Sequence, residues 1–396
     1  MKRYNRIFMI VTDSLGIGAD KKAKEFGDKG ANTLYHVSQT GLLNIPTWKK
    51  LGIDSIAKID GYNKIKGQLA YTAVVEEISN AKDTLAGHWE MMGVETSTPF
   101  PTFTENGFPP ELISELEKAI GRKVIGNKSA SGTDIIDELS HEELENNKII
   151  VYTSEDSVLQ ICAHENKTGL KSLYKWGEAA RKICSSKPEW NVGRIIVRPY
   201  IEDENGKWIR TVNRKDYSVM PNIKTTLEKI EESGVEVIAV GKINDIFSGK
   251  GINKVLKGDG DDENMDITID IAVTESKNQF VFVNLVDFDS KYGHRRKPEG
   301  YAENINRLDI KLAKLINAMK DDDLLIMTSD HGNDPTFPLY NHTREYLPAT
   351  IYAKNFEGKP KALKNFRSLA TVGNIVAKNF GVELSPIGED RSEEII

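Results

Sequence analysis

Three short segments place aspartate and histidine at spacings that suit divalent metal ions. "TDSLGIG" holds Asp13, "DFDSKYGH" holds Asp287, Asp289 and His294, and "SDHGND" holds Asp330 and His331, with His342 soon after in "NHTRE". Aspartates that follow strands commonly serve turns and helix caps, and for one such residue that reading would suffice. The set is harder to explain that way, because three of the chain's seven histidines fall in these late segments. Asp13, Asp289 and Asp330 with the imidazoles of His294, His331 and His342 supply oxygen and nitrogen donors for two divalent ions. A donor set without thiolate suits manganese or zinc. Paired metals roughly 3.5–4 Å apart clamp the attacking and leaving oxygens of a phosphoryl displacement. Such a site needs an oxygen nucleophile, and metal coordination can activate a hydroxyl.

Thr84, in "KDTLAGHWEMMG", is the candidate nucleophile. It follows Asp83 in a polar turn and precedes a helix-compatible stretch whose start would aim backbone N–H groups at a phosphate. The same spacing describes a threonine that caps a helix and does nothing else. Spacing alone leaves both readings open.

The elements that must position these residues follow from hydrophobic patterning. "RIFMIV", "KIIVYTS", "GRIIVRPY", "VEVIAVGK", "QFVFVNLVDFD" and "LLIMTSD" are short Ile- and Val-rich runs that predict buried parallel strands. Amphipathic patterns alternate with them: "PPELISELEKAIG" opens with proline, and "PEGYAENINRLDIKLAKLINAMK" spaces its Ile and Leu for one apolar face. The alternation predicts an α/β protein with a mostly parallel sheet flanked by helices. In such a sheet ligands bind beyond the carboxyl ends of the strands, which is where the acidic segments fall. Pro-, Thr- and Gly-rich stretches at residues 93–110 and around 214–222 mark boundaries. Residues 1–98 and 220–396 are therefore expected to form one core domain, and residues 99–219 a smaller inserted α/β cap with two strands and two or more helices.

Composition narrows the function classes. A chain of 396 residues with 39% hydrophobic and 28% charged residues can bury a sizeable core. A net charge of −6 argues against nucleic acid as a partner. The two cysteines, Cys162 and Cys184, are too few for a disulfide scaffold, and neither lies in a CxxC pair, which argues against a thiolate zinc site. The first apolar run, Ile7 to Val11, is too short for a signal-peptide core or a membrane span. A cytoplasmic location without membrane attachment is expected.

The segments "TDSLGIGA", "KDTLAGHWEMMG", "NLVDFDSKYGHRR", "TSDHGNDPT" and "NHTREYLP", with "YTSEDSVLQICAHE" and "RTVNRKDYSVMP" from the middle, together resemble the bacterial phosphopentomutases of the alkaline phosphatase superfamily. The resemblance implies an alkaline-phosphatase-like core and an isomerase that interconverts ribose 1-phosphate and ribose 5-phosphate, and the deoxyribose pair, in nucleoside catabolism. It implies a phosphorylated Thr84 and two manganese ions, one held by Asp289, His294 and His342 and the other by Asp13, Asp330 and His331. It also implies a sugar bisphosphate as intermediate and activator, and a sugar contact at Ser154 and Asp156. A mutase must grip a second phosphate, and the middle segment offers Arg194, Arg198, Arg210 and Arg214, with Lys242 just past it. Small-molecule pentose phosphates are thus the expected partners; oligomeric state is left open. His88 and Trp89 could shape the phosphate pocket, though packing is the expected role of Trp89. His36, His141 and His164 receive no role from spacing. A metal-dependent phosphatase or phosphodiesterase with the same core, passing the phosphoryl group to water, is the competing reading. A cofactor-independent phosphoglycerate mutase would carry serine where this chain has Thr84.

Overall fold

The computed structural model describes residues 4–64, 67–154, 156–275, 277–338, 341–356 and 359–395. The chain divides into two compact units, Met1–Thr98 with Pro221–Ile396, and Pro99–Met220. In chain order the strands are β1 (Arg6–Thr12), β2 (Tyr71–Val75), β3 (Val124–Ser129), β4 (Ile149–Thr153), β5 (Val158–His164), β6 (Arg194–Glu202), β7 (Trp208–Arg210), β8 (Lys215–Ser218), β9 (Glu236–Val240), β10 (Lys254–Leu256), β11 (Gln279–Leu285), β12 (Asp323–Thr328) and β13 (Leu347–Tyr352).

The first unit is built on a seven-stranded sheet in the order β10-β9-β11-β1-β12-β13-β2. The pairs from β10 to β12 are parallel, while β13 runs antiparallel to both of its neighbours. Every residue of β1, β11 and β12 is buried, so helices cover both faces and these strands read as unbroken apolar runs. On one face Phe8, Ile10, Val281, Val283, Leu325 and Met327 pack with Tyr301, Ile305, Leu308, Leu312 and Leu315 of the helix Pro298–Ala318. The 4-3-4-3 spacing of those helical residues gives one stripe, and each fully buried Leu or Ile contributes about 1.5–3 kcal/mol. Arg6 opens β1 and is fully buried, held by Asp323 through Nε–Oδ1 (2.9 Å) and a second bond to Oδ2 (2.7 Å). These two residues face each other in the β1–β12 register. The amino ends of the central strands are thereby pinned, and the carboxyl ends open into the loops that carry the acidic segments.

The helix Ala370–Phe380 crosses the helix Thr84–Met91 at close range. A Cβ at Gly373 would lie 1.8 Å from the Met91 carbonyl oxygen, backbone that cannot swing aside. Gly373→Ala is expected to cost about 3 kcal/mol of stability, read as a lower urea midpoint at unchanged slope.

The inserted unit has a six-stranded sheet in the order β3-β4-β5-β6-β7, with β8 also pairing β6. The sequence points to only two of these strands, β4 and β6. Leu112, Leu116 and Ile120 of the helix Pro110–Ile120 and Leu173, Ala180 and Cys184 of the helix Leu170–Cys184 cover one face. Ile135 and Ile136 pack with Ile150, Tyr152, Cys162 and Tyr200 on the other. Both cysteines are free and buried. Among the described residues no helix is long and apolar enough to cross a membrane.

Candidate active site

The loops after β1, β11 and β12 bring together the six metal-ligand candidates. Asp13 directly follows β1, Asp330 and His331 follow β12, and Asp289 follows β11. After β11 the chain makes one wide turn, Phe288–Gly293, with i to i+5 bonding: the His294 N–H donates to the Asp289 carbonyl at 2.9 Å. The extra residue in the turn puts Asp289 and His294 on one side, with Oδ2 and Nε2 3.1 Å apart. His342 Nε2 lies 3.4 Å from Asp289 Oδ1 and 3.0 Å from His294 Nε2. On the other side His331 Nε2 lies 3.3 Å from Asp13 Oδ1 and 3.5 Å from Asp330 Oδ2. The His331 and His342 rings stack with centroids 4.0 Å apart, so the two groups adjoin.

The imidazole tautomers follow from their outer partners. His331 Nδ1 is 3.1 Å from the Gly332 carbonyl and His342 Nδ1 is 2.9 Å from the Lys82 carbonyl. A carbonyl only accepts, so each Nδ1 carries the hydrogen, and in the neutral ring each Nε2 turns a lone pair into the site. Those lone pairs face carboxylate oxygens, acceptor against acceptor. Asp13 Oδ1 and Asp330 Oδ2 are buried and accept no hydrogen bond. Leaving buried carboxylate oxygens without positive charge is expensive. The candidate ligand atoms of Asp13, Asp330 and His331 lie within 4.8 Å of one another, as do those of Asp289, His331 and His342. The donor set therefore fits divalent cations. Proton affinities express the same demand for positive charge. Burial and then Asp330 push the Asp13 carboxyl above its ordinary range. For Asp289 and Asp330 burial acts in the same direction but is outweighed, by His342 and His294 at Asp289 and by His331 and His88 at Asp330, and both are held low. Burial opposes charge on His331, yet Asp330 and Asp13 hold it well above the usual imidazole value.

Thr84 is the first residue of the helix Thr84–Met91, and its Oγ1 lies 3.3 Å from His331 Nε2. The cap of that helix is Asp83, whose Oδ1 accepts from the Leu85 N–H (3.0 Å) and the Ala86 N–H (3.1 Å). This corrects the reading of Thr84 as the capping residue. It also revises the expected anion cradle, because those two amides are already bonded to Asp83. The hydroxyl is left to face His331. Gly87 shows why the helix can sit so close: a Cβ there would meet the Asp330 carbonyl oxygen at 2.2 Å. Glu90 holds the far end of the helix, accepting from the Ser79 N–H (2.7 Å) and the Leu369 N–H (3.0 Å). Buried Arg344 fixes the approach to the turn through the carbonyls of Ser79 (2.7 Å) and Ala81 (2.9 Å) and through Asp20 (2.9 Å).

Known proteins narrow the chemistry such a site performs. The Metalloenzyme superfamily description matches residues 5–384. The phosphopentomutase of Mycoplasmopsis pulmonis (strain UAB CTIP) is 55% identical over 391 residues, 98% of each chain. Those of Agathobacter rectalis and Clostridium tetani are 48% and 46% identical, each alignment covering 100% of both chains. This chain belongs to the phosphopentomutase family. Phosphopentomutases are isomerases, which sets the activity class.

The residues expected to recognise a phosphopentomutase substrate divide between the units. Ser154 follows β4 and is half-buried. Asp156 Oδ2 lies 3.6 Å from Arg194 on β6. Arg198, two register positions along from Ile196, donates from Nε to Gln160 at 2.6 Å, and Arg214 grips Asp216 with two bonds of 2.6 Å. Burial works against the charge of Asp216, but Arg214, Arg194 and Arg198 outweigh it and hold its carboxyl low. Arg210 closes β7 and is exposed. Within the inserted unit Arg214 thus pairs directly with Asp216, and Arg194 and Arg198 add positive charge that favours its ionised form. Lys242 belongs to the first unit, where it precedes the short helix Ile243–Ile246. Asp287 turns away from the ligand groups to the Asp261 N–H (3.2 Å) and Lys291 Nζ (2.8 Å). Arg296 donates to the Asp334 carbonyl at 2.7 Å. Trp89 is buried and donates from Nε1 to the Ile246 carbonyl at 3.1 Å, the packing role expected of it.

Sequence reasoning passed over Asn333, which donates to Asp289 Oδ1 at 2.7 Å, and Asn284, which donates to Asp13 Oδ2 at 2.9 Å. For Asn284 a signal existed. An amide in the middle of the apolar run "VFVNLV" is buried on both faces and needs a specific partner.

Proposed function

We propose that this phosphopentomutase-family chain interconverts ribose 1-phosphate and ribose 5-phosphate, and the 2-deoxyribose pair, through phosphothreonine at Thr84 and a sugar bisphosphate. The observation that carries the proposal is the Thr84 hydroxyl, 3.3 Å from His331 Nε2 and beside two groups of acidic and imidazole donors. Asp289, His294 and His342 would hold one manganese and Asp13, Asp330 and His331 the other. When bound, the ions offset negative charge on the transferring phosphoryl group and make the Thr84 oxygen a better nucleophile and leaving group.

The chain's own residues do the rest. Asp83 and Glu90 fix the helix so that the Thr84 oxygen stays facing the ligand groups. The phosphoryl group leaves Thr84 for the free hydroxyl of the sugar monophosphate, and in the net exchange the proton of that hydroxyl takes its place on the Thr84 oxygen. The bisphosphate turns, and its other phosphoryl group passes to Thr84, leaving the isomeric monophosphate. Arg194, Arg198, Arg210 and Arg214, with Lys242, are the proposed grip for the phosphate that is not reacting, and Ser154 and Asp156 the proposed sugar contacts. A guanidinium fork suits that task. Protein that has lost its phosphoryl group would need a sugar bisphosphate to prime it.

The test is incubation of the protein with ribose 5-phosphate and manganese, followed by phosphorus NMR. Ribose 1-phosphate should appear with little inorganic phosphate, and a trace of sugar bisphosphate should shorten any lag. Inorganic phosphate with no ribose 1-phosphate would replace this reading with the metal-dependent phosphatase.

A further inference from the structure

We infer that His88, with Asn284, is a positioning residue that fixes the Thr84 turn to the Asp13–Asp330 ligand pair. The inference rests on the functional reading above but reaches residues to which that reading gives no part. His88 sits one helical turn after Thr84 and is fully buried. Its Nδ1 lies 2.9 Å from the Thr84 carbonyl oxygen and 3.2 Å from Asp330 Oδ2. Both are acceptors, so Nδ1 carries the hydrogen and Nε2 is left as an acceptor. The donor that meets it is the Asn284 side-chain amide, at 3.3 Å. The same amide nitrogen donates its other hydrogen to Asp13 Oδ2 at 2.9 Å. The amide has one workable orientation, because its oxygen in that place would face a carboxylate and an imidazole lone pair. Every hydrogen in the chain from Thr84 through His88 and Asn284 to Asp13 is thereby assigned.

The consequence is geometric. The nucleophile's own carbonyl, one carboxylate of the ligand pair and, through one amide, the other are referred to a single rigid ring. A histidine that only filled space would not need two hydrogen bonds of fixed direction, to the Thr84 carbonyl and from Asn284, with a carboxylate oxygen 3.2 Å from the same Nδ1. Phe282, whose ring centroid is 6.0 Å from that of His88, supplies the apolar contact expected of packing. The polar contacts supply the aim.

The test uses the full chain with three substitutions: His88→Ala, His88→Asn and Asn284→Ala. Each protein is measured for manganese affinity by the EPR signal of free ion, for Tm in chelator, and for kcat and KM with ribose 5-phosphate. His88→Ala is expected to weaken manganese binding about 10- to 100-fold and to lower kcat by about 10²-fold while KM stays within a few-fold. His88→Asn keeps a donor near the Nδ1 position and should recover much of kcat. Asn284→Ala should weaken manganese binding about tenfold with a smaller loss of kcat. If His88→Ala and Asn284→Ala lower Tm but leave manganese affinity and kcat within twofold, both residues are packing and the inference is overturned. Should His88→Ala not fold, the other two substitutions decide by the same criterion. Wild-type protein that converts no pentose phosphate would overturn the functional reading alone, since manganese affinity reads His88 independently.

Discussion

Thr84→Ala is expected to reduce mutase turnover by at least about 10³-fold and to leave a folded protein. Removing the nucleophile of a covalent mechanism typically costs more than any neighbouring substitution, and the residue left behind offers no second oxygen. The fold should tolerate the change, because the cap of this helix is Asp83 and not Thr84. The bonds from the Leu85 and Ala86 amides to Asp83 survive in the variant, and alanine is a better helix former than threonine. Tm should therefore stay within a few degrees of wild type. Intact-mass measurement adds a readout that activity cannot give: protein primed with sugar bisphosphate should gain the mass of one phosphoryl group, and Thr84→Ala should not. Thr84→Ser keeps a hydroxyl on the same carbon and should retain phosphorylation with reduced turnover. Primed Thr84→Ala that still carries the phosphoryl mass, or turns over above a tenth of wild type, would falsify the covalent role of this residue.

What the sequence disclosed follows from which interactions are local. Four parallel strands of the first unit, β1, β9, β11 and β12, were legible because burial on both faces forces unbroken apolar runs, whereas the parallel β10, three residues long and largely exposed, was not. β13 was not, because Pro348 breaks its pattern; the structure pairs Pro348 with Val74 of the edge strand β2, one residue beyond Ala349, where the pairing of β13 with β12 stops. In the inserted unit β7 and β8 are only three and four residues long, too short for any period to register. β5 interrupts its apolar run with Gln160 and Cys162, whose partners, Arg198 Nε and the Arg198 carbonyl, lie 38 and 36 residues away. The ligand candidates were legible as residue types after strands, since that placement is a property of parallel sheets. The wide turn that brings Asp289 and His294 to one side was not, because an extra residue per turn leaves no compositional mark. The same limit left the cap of the Thr84 helix open in the sequence. Asp83 and Thr84 are both good caps by type, and only the backbone, extended at Asp83 (φ −132°, ψ 162°), decides between them.

Asp13→Asn should separate the cost of the acidic cluster from its use. In wild type three carboxylates, of Asp13, Asp289 and Asp330, are buried close together, and two of their oxygens accept no hydrogen bond. Without metal these charges repel; with metal the repulsion becomes binding energy. At free manganese about 1,000 times Kd, one site stabilises the folded chain by about 4 kcal/mol. Chelation is therefore expected to lower Tm by about 5 °C or more and to bring mutase activity to baseline, both reversed by added manganese. Asparagine at position 13 keeps the shape and still accepts from Asn284, but removes one charge from the cluster. In chelator the variant should melt at or above the wild-type temperature, because burial and Asp330 are what make the Asp13 charge costly. In manganese the order should reverse, with the variant gaining little stability and losing turnover by about 10²-fold or more. A crossing of the two melting curves between chelator and manganese is the signature of a residue whose charge serves the ion. If Asp13 were instead a structural acceptor for Asn284, Asn would be neutral or destabilising by the same amount in both conditions, and manganese would stabilise both proteins equally.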